Sequence, residues 1–194
     1  MSTIVAPTKF DALVSATRAA VSSDADWAGT AELVAAELER RLPTPDMLTD
    51  EQRTGDPKRY RSHLLHTEPD GSFSIVALTW RPGQETPIHD HVTWCVFGVI
   101  QGIEYEELYT LDERGEHLVE AGSSATETGE VSGFAPPGDI HRVRNIGDST
   151  AISIHTYGTD VSRIGSSVRR VYDLPVLYGD SMKNANMRSG SMRA

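Results

Sequence analysis

Apolar and polar positions fall into two textures along this chain. Between residues 8 and 41 the apolar positions recur at helical spacing. Phe10, Leu13, Val14 and Thr17 form one stripe, and Trp27, Leu33, Val34, Leu38 and Leu42 form a second. Stripes of that period predict two helices, each with one buried face. Ser22, Ser23 and Asp24 supply capping or turn chemistry at the junction. Pro43 and Pro45 lack the amide proton that a helix interior needs, so the second helix ends there, and residues 46–52 predict one more turn. These helical stripes read as packing faces for a sheet and carry no chemistry.

After Gly55 and Asp56 the period shortens. Strands are expected at 60–66, 73–80, 91–100, 104–111, 117–120, 132–135, 142–145 and 151–157. The turn signals PDG, RPGQ, DERGE, PPGD and NIGDS separate them. Many short strands at regular spacing predict a sandwich or barrel. The expected organisation is a single domain, with a helical segment 1–56 packed on a β-barrel of residues 57–178 and a polar, aperiodic tail over 179–194. No internal repeat is visible.

Composition narrows the function classes. A formal charge of −10 over 194 residues argues against nucleic acid or an anionic membrane as partner. One cysteine excludes an internal disulfide and fits a reducing cytoplasm. The stretch MSTIVAPTKFDAL lacks the basic start and apolar core of a signal peptide, and no apolar run is long enough to span a bilayer. A cytoplasmic location is the expectation.

The chemistry concentrates in TPIHDHVTWCVFGVIQG. On a strand, His89 and His91 project to one face while Asp90 points away, which makes the pair ready metal ligands. A bare HxH is more often two surface histidines, but this one opens an apolar, β-branched run closed by glycine. PPGDIHRVRN offers a distant partner, with a tight turn ahead of His141. Gly83, His89-x-His91 and Gly102 together resemble the first cupin motif, and Pro136-x-Gly138-xx-His141-xxx-Asn145 resembles the second. The resemblance covers about residues 81–157. It implies a mainly β fold, a cupin double-stranded β-helix with the N-terminal helices packed outside and one metal in the barrel mouth.

Many cupins carry a glutamate after the HxH as a fourth ligand, and this chain has Cys95 there. The expected site is therefore three neutral imidazoles with no anionic protein ligand, a donor set that would also accept zinc, nickel or manganese. In AISIHTYG, Ser153, His155 and Tyr157 share one strand face, so their polar ends can form a hydrogen-bonded chain. With HDH, the distal His-Arg-Val-x-Asn and this strand in place, the chain is similar to the cysteine dioxygenase and thiol dioxygenase family, nearer its bacterial branch by Trp94. That resemblance implies Fe(II) on His89, His91 and His141, an outer Ser153–His155–Tyr157 triad, and substrates that are a small thiol and O2, giving a sulfinic acid. It also implies that Cys95 lies close to Tyr157, with a thioether between them as in the animal branch.

Substrate choice turns on an absence. The resemblance implies an Arg or Gln anchor on the strand before the HxH, for cysteine or 3-mercaptopropionate respectively. Two counts place Ser62 or His63 at that position, and Arg61 should face the other way. Serine cannot make the bidentate, charge-assisted pair a guanidinium makes with a carboxylate. Free cysteine is therefore expected to be a poor substrate. A bulkier thione such as ergothioneine is expected to be better, with Trp94 facing its cationic group and Arg163, Arg169 or His63 as other sources of a carboxylate contact. Arg169 and Arg170 otherwise read as a solvated face or an internal ion pair, and His63, His66 and His117 as solvated or packed. The competing readings are a cysteine or 3-mercaptopropionate dioxygenase, a cupin acting on a carbon substrate, and a non-catalytic cupin that binds a small ligand.

Overall fold

The computed structural model describes residues 8–178. The two expected helices are α1 (Lys9–Val21) and α2 (Trp27–Arg41). Thr8 caps α1 in a reciprocal capping box with Asp11, and Asp26 caps α2 by accepting from the Gly29 amide at 2.8 Å. Ser22 closes the end of α1, so the cap of α2 is Asp26 and not the serines or Asp24. A 3-10 turn at Pro45–Met47 and the short α3 (Asp50–Thr54), boxed by Thr49 and Gln52, lead into the strands.

The strands are β1 (Arg61–Thr67), β2 (Ser74–Trp80), β3 (His89–His91), β4 (Cys95–Gln101), β5 (Ile103–Leu111) and β6 (Leu118–Glu127). They continue with β7 (Val131–Phe134), β8 (His141–Arg144), β9 (Ala151–Tyr157), β10 (Val168–Val171) and β11 (Val176–Leu177), with α4 (Val161–Ile164) ahead of β10. They form a five-stranded sheet in the order β1-β2-β9-β4-β7 and a six-stranded sheet in the order β10-β3-β8-β5-β6-β11. The two sheets curl face to face as the cupin double-stranded β-helix that the motif spacing implies. Among the described residues no helix is long and apolar enough to cross a membrane.

The five-stranded sheet is covered on both faces, and strand alternation sorts its residues between two cores. Ile75 and Ala77 of β2, Val96 of β4, and Ile152 and Ile154 of β9 pack against Leu13, Val34 and Leu38 of the helices. Their neighbours Val76, Leu78, Trp80, Cys95 and Tyr157 pack inward with Val143 of β8. Gly98 lets α2 come close: a Cβ there would meet Leu42 Cδ1 at 2.5 Å and Leu38 Cδ2 at 3.3 Å.

Three features depart from the sequence reading. The run expected as one strand over 91–100 is two strands in different sheets, with Val92, Thr93 and Trp94 crossing between them. The strand expected at 117–120 extends to Glu127, through Gly122, Ser123 and Ser124, a small and polar run with no apolar alternation to mark it. The edge strands β10 and β11 carry no alternating pattern; β10 exists because it pairs with β3. The polar tail expected over 179–194 lies outside the described residues.

Candidate metal centre and its cavity

The short strand β3 pairs with β8 so that His89 stands opposite His141. With His91 two positions along, the three rings converge: centroid separations are 4.7 Å for His89–His91, 4.7 Å for His89–His141 and 5.0 Å for His91–His141. One donor nitrogen from each lies within 4.8 Å of the others, and all three residues are buried.

Each imidazole is held by its outer nitrogen. His89 Nδ1 meets the Pro87 carbonyl at 2.9 Å, His91 Nδ1 meets Asp139 Oδ2 at 3.1 Å, and His141 Nδ1 meets Glu106 Oε1 at 2.8 Å. All three partners are acceptors, so each Nδ1 donates and each Nε2 keeps a lone pair. His141 Nε2 is buried with no hydrogen-bond partner. A buried, unsatisfied nitrogen facing two other imidazoles fits a divalent metal. Burial first, then repulsion from His141 and His91, pushes the His89 imidazole down to about 3. Burial likewise lowers His91 against the pull of Asp139. Both rings are thus neutral near pH 7, the form that ligates metal.

The acids behind the imidazoles were not read from the sequence. Glu104 and Glu106 alternate with Tyr105 on a strand, so two carboxylates on one inward face were a visible signal. Asp139 sits in the turn before His141 and gave no such signal. Asp90 points away from the metal centre, as expected, but it is buried rather than solvated. Its Oδ2 accepts from the Tyr172 hydroxyl at 2.9 Å and from Arg169 Nε at 3.1 Å. Arg169, its side chain 57% exposed, therefore pairs with the buried Asp90 and is not among the residues that line the cavity at the metal centre.

On the facing sheet Cys95 of β4 pairs in register with Tyr157 of β9. The polar chain along β9 is continuous. Ser153 Oγ lies 2.8 Å from His155 Nε2, and the Tyr157 hydroxyl lies 3.4 Å from His155 Nδ1. Cys95 Sγ stands 3.8 Å from that same Nδ1. Burial is the main force raising both the Cys95 thiol and the Tyr157 phenol well above their ordinary values.

The three histidines of the centre, Cys95, His155 and Tyr157 line one cavity of about 730 Å³, its open mouth included, with Ser153 behind His155. Aromatic rings form much of its wall. Tyr60 stacks on Trp80 at 4.3 Å, with Phe97 and Phe134 further round. Ser62, Ser166 and Ser167 also line it; among the described residues no lysine, arginine or glutamine does.

Three expected substrate contacts are not in this cavity. His63 alternates with Ser62 on β1 and so faces away from it. Trp94 is 3% exposed in the core between the sheet and the helices, because its odd separation from His91 turns it to the opposite face. Arg163 stands exposed on α4, outside the lining.

The family described as cysteine dioxygenase type I matches residues 51–170 of this chain. Human cysteine dioxygenase type 1 is 28% identical over 105 residues, covering 53% of this chain and 52% of that protein. The zebrafish (Danio rerio) protein of the same name is 28% identical over 106 residues, with 53% and 52% covered. The chain thus spans about half the length of these curated relatives. A Klebsiella pneumoniae protein with a double-stranded β-helix domain superposes with a TM-score of 0.44 at 17% identity, covering 57% of this chain and 86% of that one. The family match runs through all three converging histidines and through the strand of Ser153, His155 and Tyr157, and by it the chain belongs to the cysteine dioxygenase type I family.

Proposed function

We propose that this protein is a thiol dioxygenase, adding both atoms of O2 to the sulfur of a small thiol or thione to give a sulfinic acid. The observation that carries the reading is the meeting of a three-histidine centre with His155 and Tyr157 in one cavity, Ser153 bonded behind His155. Fe(II) held by His89, His91 and His141 would supply the redox chemistry that O2 requires and a seat for sulfur, which zinc would not do by redox change. The chain's own part is to bind, orient and keep water out. Tyr157, backed by His155, presents a hydroxyl beside the centre, and the aromatic wall excludes solvent around it.

The substrate reading rests on the cavity lining. Among the described residues a free cysteine carboxylate would find no guanidinium or ammonium there, and Ser62 offers a single hydroxyl. Tyr60, Trp80 and Phe97 offer π faces to a cation, the role the sequence reading had given to Trp94. A betaine thione such as ergothioneine is therefore the preferred substrate of this proposal. Oxygen uptake by the iron-loaded protein, measured with ergothioneine, cysteine, cysteamine and 3-mercaptopropionate, tests both levels. Ergothioneine should exceed cysteine in kcat/KM by about a hundredfold. Cysteine winning by about tenfold would mean that a different anchor exists. No uptake with any thiol would sink the dioxygenase reading and favour a ligand-binding cupin.

Cys95 and Tyr157 pair in register, and a thioether should form between them during turnover, with O2 as the oxidant that takes the two hydrogens and two electrons. Intact mass after turnover should fall by about two hydrogen masses, one from the thiol and one from the ring. The loss should be absent in Cys95→Ala. An unchanged mass after many turnovers would leave Cys95 as a packed apolar side chain.

A further inference from the structure

Glu104 has no role in the site described so far, and its surroundings are unusual. It is 1% exposed in the lining of the cavity, and among the described residues neither carboxylate oxygen has a hydrogen-bond partner. A buried carboxylate in that condition costs several kcal/mol unless a positive group or a donor offsets it. The available group is His155: Glu104 Oε1, reaching across from β5, stands 3.5 Å from His155 Nε2 on β9.

We propose that Glu104 is a positioning residue that holds a proton on His155 Nε2 and so keeps Nδ1 as an acceptor toward Tyr157. Two arrangements compete around this ring. In one, the Ser153 hydroxyl donates to Nε2, and Nδ1 carries the proton; this leaves two Glu104 oxygens facing a lone pair. In the other, Nε2–H points at both Ser153 Oγ and Glu104, which is the arrangement a neighbouring carboxylate favours. Ser153 Oγ is suited to accept, since Trp80 Nε1–H already approaches it at 3.4 Å. Two lone pairs then serve two donors.

The consequence for chemistry rests on the dioxygenase reading above; the tautomer itself does not. With Nδ1 bare, the Tyr157 hydroxyl donates to it. The proton of an incoming thiol then has a balanced route: the S–H bond breaks as an O–H bond forms on Tyr157, while the original Tyr157 proton passes to Nδ1. The sulfur keeps the electron pair, and the imidazolium faces the Glu104 carboxylate. Glu104 would serve His155 as the buried aspartate of a hydrolase triad serves its histidine.

The test is long-range proton–nitrogen NMR on histidine-labelled protein loaded with diamagnetic Zn2+, with the His155 ring assigned by its absence in His155→Gln. In the wild type, Nε2 should be protonated and Nδ1 bare; in Glu104→Gln the proton should shift toward Nδ1. A bare Nε2 in the wild type overturns the proposal even if no variant folds, and so does an unchanged tautomer in Glu104→Gln. With the iron-loaded protein, Glu104→Gln should lower kcat by at least about tenfold while KM stays within about twofold. A raised KM at unchanged kcat would instead mean that Glu104 binds the substrate directly, which also overturns it. If the wild type turns over no thiol, the dioxygenase reading fails, and the NMR result still decides the claim about Glu104.

Discussion

His141→Ala should yield a folded protein that no longer retains iron and has lost turnover with it. The ring supplies one of three converging nitrogens, and its Nε2 is the one buried without any protein partner. Without it, His89 and His91 remain as a two-nitrogen site on one strand, with no donor from β8 opposite. Losing one of three protein ligands should weaken binding by at least the roughly 10–100-fold that loss of a ligand's hydrogen-bond partner alone costs. The Glu106 carboxylate also loses its partner at 2.8 Å, so some thermal stability should go too. Metal content per chain after gel filtration, read beside a thermal melt, separates the two effects. Full iron occupancy in a folded His141→Ala protein would remove His141 from the centre.

The second large effect is structural. Gly158 directly follows Tyr157, and its amide donates to the Trp94 carbonyl at 3.2 Å. A Cβ at 158 would stand 2.2 Å from Trp94 Nε1, 2.4 Å from Trp94 Cε2 and 2.6 Å from Thr93 Oγ1. The indole is rigid and locked in the core beneath the helices, so it cannot swing away as a flexible side-chain end would. Gly158→Ala should therefore cost about 3 kcal/mol, or about 6–12 °C in Tm. A melt within about one degree of the wild type would show that this corner of the core has room to move.

That same corner explains where the sequence reading went wrong. Trp94 lies three positions past His91, and on an unbroken strand its phase relative to the histidines is a simple count. That odd separation turns the indole to the face opposite the histidines, and the alternation carries through the crossing from one sheet to the other. Cys95 and Phe97 then face the cavity, while Trp94 and Val96 face the helices. Arg169 shows the related limit. Nothing in SSVRRVYD says that it pairs with Asp90 until β10 is laid beside β3.

What the sequence determined by itself is what local periodicity and short spacing can carry. The two helices follow from a 3.6-residue stripe, and most strands follow from alternation between turn signals. The HxH pair and the Ser153–His155–Tyr157 face follow from positions two residues apart on extended chain, and the distal His141 from the Pro136-x-Gly138 turn ahead of its strand. Tertiary structure alone decided which faces meet. His141 stands opposite His89 because β8 pairs with β3, and Cys95 stands opposite Tyr157 because β4 pairs with β9. Asp139 and Glu106 became the partners of His91 and His141, and Glu104 came to lie beside His155 across the gap between two sheets. The physical reason is that alternation settles only whether a side chain points up or down from its own strand. Its partner is set by the pairing of strands far apart in the chain and by the packing of one sheet on the other.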